Sequence, residues 1–154
     1  MAADAINTGI VLNLDSSVNP SIANYALAQW STCTGSLPSL STSGTSPFTF
    51  QVKIENQNAP AGFLAQTDTN LKVITLFSRD YEGRGINTQD QQYILTHELG
   101  HVLGLAEAAD SDCLMGPAGR SGGRIKEKKV ASTDCSYLVS MWAYICHPKY
   151  FPFF

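Results

Sequence analysis

The chain has 154 residues, which is enough for one domain and too few for two of ordinary size. Hydrophobic residues make up 44% of it and charged residues only 15%, so it can bury a core and does not have the composition of a disordered protein. The formal net charge of −3 indicates neither a nucleic acid nor an anionic membrane as partner, and no segment approaches the ~20 apolar residues of a membrane span. We therefore expect a single domain over residues 1–154.

The first half of the chain predicts several strands and one helix. Residues 6–14 predict a first strand, and Asn19-Pro20 predicts the start of a helix, because proline is well tolerated in the first turn. Residues 34–47 are rich in Ser, Thr, Gly and Pro and predict a loop, and residues 56–60 predict a turn. Three further strands are predicted at residues 48–54, 62–67 and 71–77.

The second half of the chain predicts two helices. Thr88 and Gln91 have the spacing of a capping box, with Thr88 as the N-cap of a helix that stops at Gly104. Residues 133–141 predict a last helix, capped by Thr133-Asp134. Neither an internal repeat nor a domain boundary is evident in the sequence.

The segment His97–His101 has the pattern H-E-x-x-H and lies on the predicted helix that stops at Gly104. Residues four apart share one face of a helix, so both imidazoles can reach one point, and neutral imidazole nitrogen is a zinc ligand. Glu98 would approach a water on that metal without being a ligand itself. The alternative is a buried helix whose two histidines hydrogen-bond to backbone groups.

The residues that follow make the pattern more specific. Gly104 lets the chain turn out of the helix, and Glu107 stands three residues further on, so the segment resembles the metzincin signature H-E-x-x-H-x-x-G-x-x-H. Met115 lies eight residues beyond Glu107, within Cys113-Leu114-Met115-Gly116-Pro117. This segment resembles the methionine-containing turn of metzincins, and its spacing is most similar to that of the matrixin branch.

The resemblance implies an α+β fold: a metzincin-like catalytic domain with a small twisted mixed sheet, an active-site helix and a C-terminal helix. It places an extended peptide substrate along an edge strand and one wall of the S1′ pocket at a proline. Met115 would form an apolar floor below the metal, and Gly104 the turn beside it. The substrate-binding residues are then expected to be Gly62, Phe63, Leu64, Ala65 and Pro117.

Glu107 is a departure from the family, in which most members have His and some have Asp at this position. Glutamate is a legitimate zinc ligand, and two His with one Glu is a known catalytic set, so we expect zinc to be held by His97, His101 and Glu107. The sequence also offers other third ligands: Asp110, Asp112, Glu127 and His147. No Tyr stands two residues after Met115, unlike in astacin- and serralysin-like members.

These residues predict a zinc metalloendopeptidase in which a zinc-bound water attacks the peptide bond and Glu98 acts first as base and then as acid. The expected partner is a protein or peptide substrate, and the expected state is a monomer. The alternatives are a non-catalytic, zinc-stabilised peptide-binding protein and a zinc amidase with a non-peptide substrate. Serralysin-type calcium repeats are absent from the sequence, and a structural Ca2+ site, although compatible with the resemblance, is not evident.

The four cysteines contain no CxxC pair, which argues against an all-cysteine zinc site. Of the three disulfide connectivities we favour Cys113 with Cys135 and Cys33 with Cys146, the alternative being buried free thiols. Two disulfides and a polar, charge-poor surface favour a secreted protein, although the first residues lack the features of a signal peptide.

Overall fold

The structure is a computed structural model that describes residues 8–34, 39–105, 107, 115, 120–121 and 124–125. The described residues contain two helices, α1 (Pro20–Thr34) and α2 (Thr88–Val102). The strands are β1 (Ile10–Leu14), β2 (Leu40–Ser41), β3 (Phe48–Asn58), β4 (Ala65–Asp68), β5 (Val73–Arg79), β6 (Arg120–Ser121) and β7 (Arg124–Ile125). The described part of the chain is therefore a mixed α and β fold, as the sequence predicts.

Five strands form one mostly parallel sheet in the order β2-β1-β3-β5-β4. β1 pairs in parallel with β2 and β3, and β3 pairs in parallel with β5. β4 is antiparallel to β5, with Ala65 opposite Leu76 and Asp68 opposite Val73. β4 is thus an edge of the sheet, and its outer side has no partner strand among the described residues.

The hydrophobic core joins the sheet to both helices. From the sheet it contains Leu12, Val52 and Leu76, all fully buried. Leu99 of α2 and Trp30 of α1 are buried in the same cluster, and the Trp30 indole N–H donates to the carbonyl of Thr96 on α2 over 2.8 Å. This long-range hydrogen bond ties the two helices to each other.

Several predicted strand boundaries are wrong. β1 begins only at Ile10, because Gly9 before it has a φ of +80°. β5 covers Val73–Arg79 rather than residues 71–77, because Lys72 has a φ of +55°.

β3 continues to Asn58 through the predicted turn, because its polar end pairs with β5 beyond a bulge and Asn58 accepts a hydrogen bond from the Arg79 guanidinium at 2.7 Å. β4 begins at Ala65 rather than at Gly62, because Gly62 has a φ of +86°, which is incompatible with an extended strand. The predicted loop at residues 34–47 contains the short strand β2.

The predicted capping box at the start of α2 is also wrong. Asn87 is the N-cap, and its side-chain oxygen accepts a hydrogen bond from the backbone N–H of Asp90 at 2.8 Å. The Gln91 amide instead donates to the carbonyl of Phe77 on β5 at 2.7 Å, in a buried position. Gln91 therefore fixes the first turn of α2 to the sheet rather than capping the helix.

Several predictions concern parts of the chain outside the described residues. The last helix at residues 133–141 and the pairing of Cys113, Cys135 and Cys146 lie there, and the side chain of Cys33 is not described either. In the described part of the chain, neither helix is both long enough and apolar enough to cross a membrane.

The N-cap can be tested by removing each candidate side chain in turn. We expect Asn87→Ala to lower the free energy of unfolding by about 1 kcal/mol, because it leaves the Asp90 N–H without its acceptor. Thr88→Ala is expected to cost less than about 0.5 kcal/mol, since Ala is a better helix former than Thr. Urea denaturation in the presence of chelator measures both values, and the reverse order would contradict the assignment of Asn87.

Candidate metal centre

His97 and His101 lie four residues apart near the C-terminal end of α2, so the helix presents both imidazoles on one face. Their ring centroids are 4.9 Å apart with an interplanar angle of 79°. The two Nε2 atoms are 3.2 Å apart. The helix thus directs one nitrogen of each ring to the same point, as the motif predicts.

The orientation of the His101 ring is set by a hydrogen bond to the backbone. Its Nδ1 lies 2.9 Å from the carbonyl oxygen of Leu105. A carbonyl only accepts, so Nδ1 carries the proton and donates it, and Nε2 is the nitrogen that can act as a ligand. Leu105 therefore determines which nitrogen of His101 is presented to the site.

Leu105 reaches this position through the turn that ends α2. The N–H of Gly104 donates to the His101 carbonyl and the N–H of Leu105 donates to the Gly100 carbonyl, each at 2.9 Å. This is the hydrogen-bond pattern of a Schellman motif, which requires a left-handed residue after the helix. Gly104 is that residue, with a φ of +95°, and the predicted exit of the chain at this glycine is confirmed.

Beyond the turn, Glu107 folds back onto both histidines. Its Oε1 lies 2.6 Å from His97 Nε2 and 3.1 Å from His101 Nε2. Burial raises the pKa of the Glu107 carboxyl, but hydrogen bonds to His101 and His97 and their charges outweigh burial and lower the pKa to about 2. Glu107 is therefore an anion at neutral pH. The structure brings together the three residues that the sequence predicts as ligands.

Glu98 is the fourth side chain of the centre and is buried. One atom each of His97, Glu98 and His101 lies within 4.8 Å of the others, a grouping that could hold a metal ion. Glu107, rather than Glu98, makes the direct contacts with the imidazole nitrogens, whereas Oε2 of Glu98 accepts a hydrogen bond from the hydroxyl of Thr67 on β4. The contacts therefore favour Glu107 as the third ligand and leave Glu98 beside the ligand set.

Thr67 contacts Glu98, although the sequence does not predict this contact. Along β4, Ala65 is buried and Thr67 half-buried, while Gln66 and Asp68 are exposed. The period-2 alternation of a strand accounts for this pattern and puts Thr67 on the face that meets α2. The alternation is visible in the sequence, but the pairing with Glu98, 31 residues away, is not.

The opposite side of α2 packs closely against Met115 and Trp30. Met115 is buried, 2% exposed, and its place below a metal stays a prediction. A Cβ atom added to Gly100 would lie 3.0 Å from Met115 Cε and 3.0 Å from Trp30 Cζ2. Gly100, which the sequence analysis did not single out, is therefore required for the approach of these two side chains.

The predicted substrate-binding residues are split by the strand boundary. Ala65 is the first residue of β4, whereas Gly62, Phe63 and Leu64 precede the strand. The Phe63 N–H donates to the carbonyl of Pro60 at 3.1 Å, and the Phe63 side chain is 39% exposed. Pro117 lies outside the described residues, as do the other third-ligand candidates, Asp110, Asp112, Glu127 and His147.

Comparison of the sequence with models of known protein families gives no match, and comparison with curated protein sequences gives none either.

Packing behind the centre can be tested at Gly100. Ala normally stabilises a helix by about 1 kcal/mol relative to Gly. We nevertheless expect Gly100→Ala to lower the free energy of unfolding by about 1–3 kcal/mol, because the added methyl group overpacks Met115 and Trp30.

Gly85→Ala is the matched control for Gly100→Ala, since an added Cβ at Gly85 meets no atom within 4 Å. Urea denaturation in the presence of chelator is expected to show less than about 0.5 kcal/mol of destabilisation for Gly85→Ala. A Gly100→Ala protein as stable as the wild type would contradict the close packing.

Proposed function

We propose that this protein is a zinc-dependent endopeptidase of the metzincin type, in which His97, His101 and Glu107 bind the metal and Glu98 is the general base. The observation that carries the proposal is the convergence of Nε2 of both histidines and Oε1 of Glu107, with 2.6–3.2 Å between each pair of atoms. Glu98 has an atom within 4.8 Å of both histidine nitrogens, but its Oε2 bonds to the Thr67 hydroxyl rather than to either imidazole.

Two of the three distances between the proposed ligand atoms fit a zinc ion. Bond lengths of about 2.0–2.2 Å in a tetrahedron put neighbouring ligand atoms about 3.3 Å apart. The distances from His101 Nε2 to His97 Nε2 and to Glu107 Oε1, 3.2 and 3.1 Å, are close to this value. The shorter distance of 2.6 Å between His97 and Glu107 is that of a charge-assisted hydrogen bond.

The orientation of His101 also supports a cation at this point. Nδ1 faces the Leu105 carbonyl, so Nε2 is the ring nitrogen that faces the Glu107 carboxylate, which has only acceptors. At 3.1 Å, Nε2 and Oε1 are joined either through a proton or through a metal ion bound by both. Two imidazoles and one carboxylate form a donor set typical of catalytic zinc.

In the proposed reaction the metal activates the water and the carbonyl group, and Glu98 transfers the proton. Zinc, when bound, makes a water more acidic and polarises the scissile carbonyl. Glu98 takes the proton of the attacking water on its carboxylate and then gives it to the nitrogen of the leaving group. Oε2 of Glu98 is engaged by Thr67, so Oε1 is the atom assigned to this proton.

A protein or peptide substrate is supported by the position of β4. An edge strand can pair with an extended peptide through main-chain hydrogen bonds, independently of the substrate side chains. β4 is such an edge, and Thr67 connects it directly to Glu98. Main-chain pairing along β4 would therefore hold the scissile bond near the general base.

Secretion and a monomeric state stay predictions from the sequence.

The role of Glu98 can be tested by comparing cleavage with metal content. We expect Glu98→Ala and Glu98→Gln to retain about one zinc per chain, because the three ligands remain, and to lose casein cleavage by about 10²- to 10⁴-fold. Glu55→Ala, which changes a surface partner of Lys53, is the control and is expected to cleave casein like the wild type.

Three outcomes of the casein experiment distinguish the candidate functions. Casein cleavage that chelator abolishes supports the endopeptidase, and unchanged cleavage by Glu98→Ala would refute the role of Glu98. A wild-type protein that binds zinc but cleaves no denatured protein would contradict the endopeptidase. It would then favour the peptide-binding protein or the amidase.

The third ligand can be tested by zinc affinity, measured by competition with a chromophoric chelator. We expect Glu107→Ala to weaken zinc binding by more than about 100-fold, since loss of an outer partner alone costs 10- to 100-fold. Glu82→Ala, which removes a half-exposed partner of Arg84, is expected to leave the affinity unchanged. Undiminished affinity of Glu107→Ala would point to Asp110, Asp112 or His147 instead.

A further inference from the structure

We infer that Thr67 is a positioning residue for the proposed peptidase reaction and that its hydroxyl holds Glu98 in place. This inference rests on the proposed function. Thr67 donates its hydroxyl hydrogen to Oε2 of Glu98. No described residue hydrogen-bonds to Oε1, so the bond occupies one oxygen and leaves the other to the water and the leaving group.

The position of Thr67 is itself fixed by the sheet. Thr67 is opposite Ile74 on β5, and Ile74 is fully buried in the core. A hydroxyl on a paired strand is held more rigidly than one on a loop, and its direction follows from the alternation of the strand. The Thr67 hydroxyl can therefore restrict rotation of the Glu98 carboxylate. The helix backbone alone fixes where the Glu98 side chain begins, but not how its carboxylate is turned.

The same contact joins two parts of the proposed site. β4 is the strand along which a peptide would pair, and Glu98 lies on α2 between the two histidines. A hydrogen bond from β4 to Glu98 puts the peptide-binding strand and the general base in one rigid frame. Positioning of this kind affects the chemical step more than substrate binding, because the reacting groups must be aligned to within a fraction of an ångström.

The inference predicts a separation of kcat from KM in two variants of Thr67. Thr67→Val keeps the shape but removes the hydroxyl, and we expect kcat for a fluorogenic peptide to fall about 10- to 100-fold while KM changes by less than about 3-fold. Thr67→Ser keeps the hydroxyl, and kcat is expected within about 3-fold of the wild type. Zinc affinity is expected to be unchanged in both proteins, because neither change touches a ligand.

Two controls keep the experiment decisive. Thr75→Val makes the same change on β5, outside the site, and is expected to leave kcat unchanged. Where Thr67→Val destabilises the sheet, Thr67→Ala replaces it, since Ser and Ala at this position differ only by the hydroxyl. Thermal denaturation of every variant establishes that the proteins compared are folded.

The failure of the inference differs from the failure of the proposed function. A wild-type protein that binds zinc but cleaves no peptide contradicts both. An active wild type with equal kcat in Thr67→Val and Thr67→Ser overturns only the role of Thr67. A loss of zinc affinity in parallel with kcat would also overturn it, because it would show a structural effect on the ligands.

Discussion

The candidate centre depends on one hydrogen bond, from Nδ1 of His101 to the carbonyl of Leu105. This bond exists because the chain reverses at Gly104, where only a residue that tolerates a positive φ closes the helix in this way. The reversal returns the backbone carbonyl to the ring it orients and also brings Glu107 to both imidazoles. The end of the helix and the convergence of the proposed ligands therefore depend on the same turn.

The sheet contributes the remaining parts of the site. At the start of α2, Gln91 hydrogen-bonds to the Phe77 carbonyl on β5. Further along α2, the Thr96 carbonyl accepts a hydrogen bond from Trp30 on α1. The helix is therefore held at two points along its length. Met115 and Trp30 fill the space beside Gly100 of the same helix. With α2 fixed, the edge strand β4 meets Glu98 through Thr67. The acid that is proposed to move protons is thus held by the sheet, and the proposed metal ligands are held by the end of the helix.

Local rules predicted the parts of this arrangement that are local in sequence. The spacing of His97 and His101 and the exit at Gly104 follow from helix geometry and from the conformational range of glycine. Asn87 and Thr88 are neighbours that can both cap a helix, so the choice between them depends on the tertiary position of α2. The length of β3 depends on Arg79, and the role of Thr67 depends on Glu98, and both partners are distant in sequence.

All three proposed ligands fall within the eleven residues from His97 to Glu107, and the His97–Glu107 hydrogen bond joins the two ends of this segment. The entropy of closing a loop grows with its length, so closing this short segment costs little. The centre is therefore a nearly autonomous unit at the end of one helix. Insertions or deletions in the loops between the strands would change the surface around it without separating the proposed ligands.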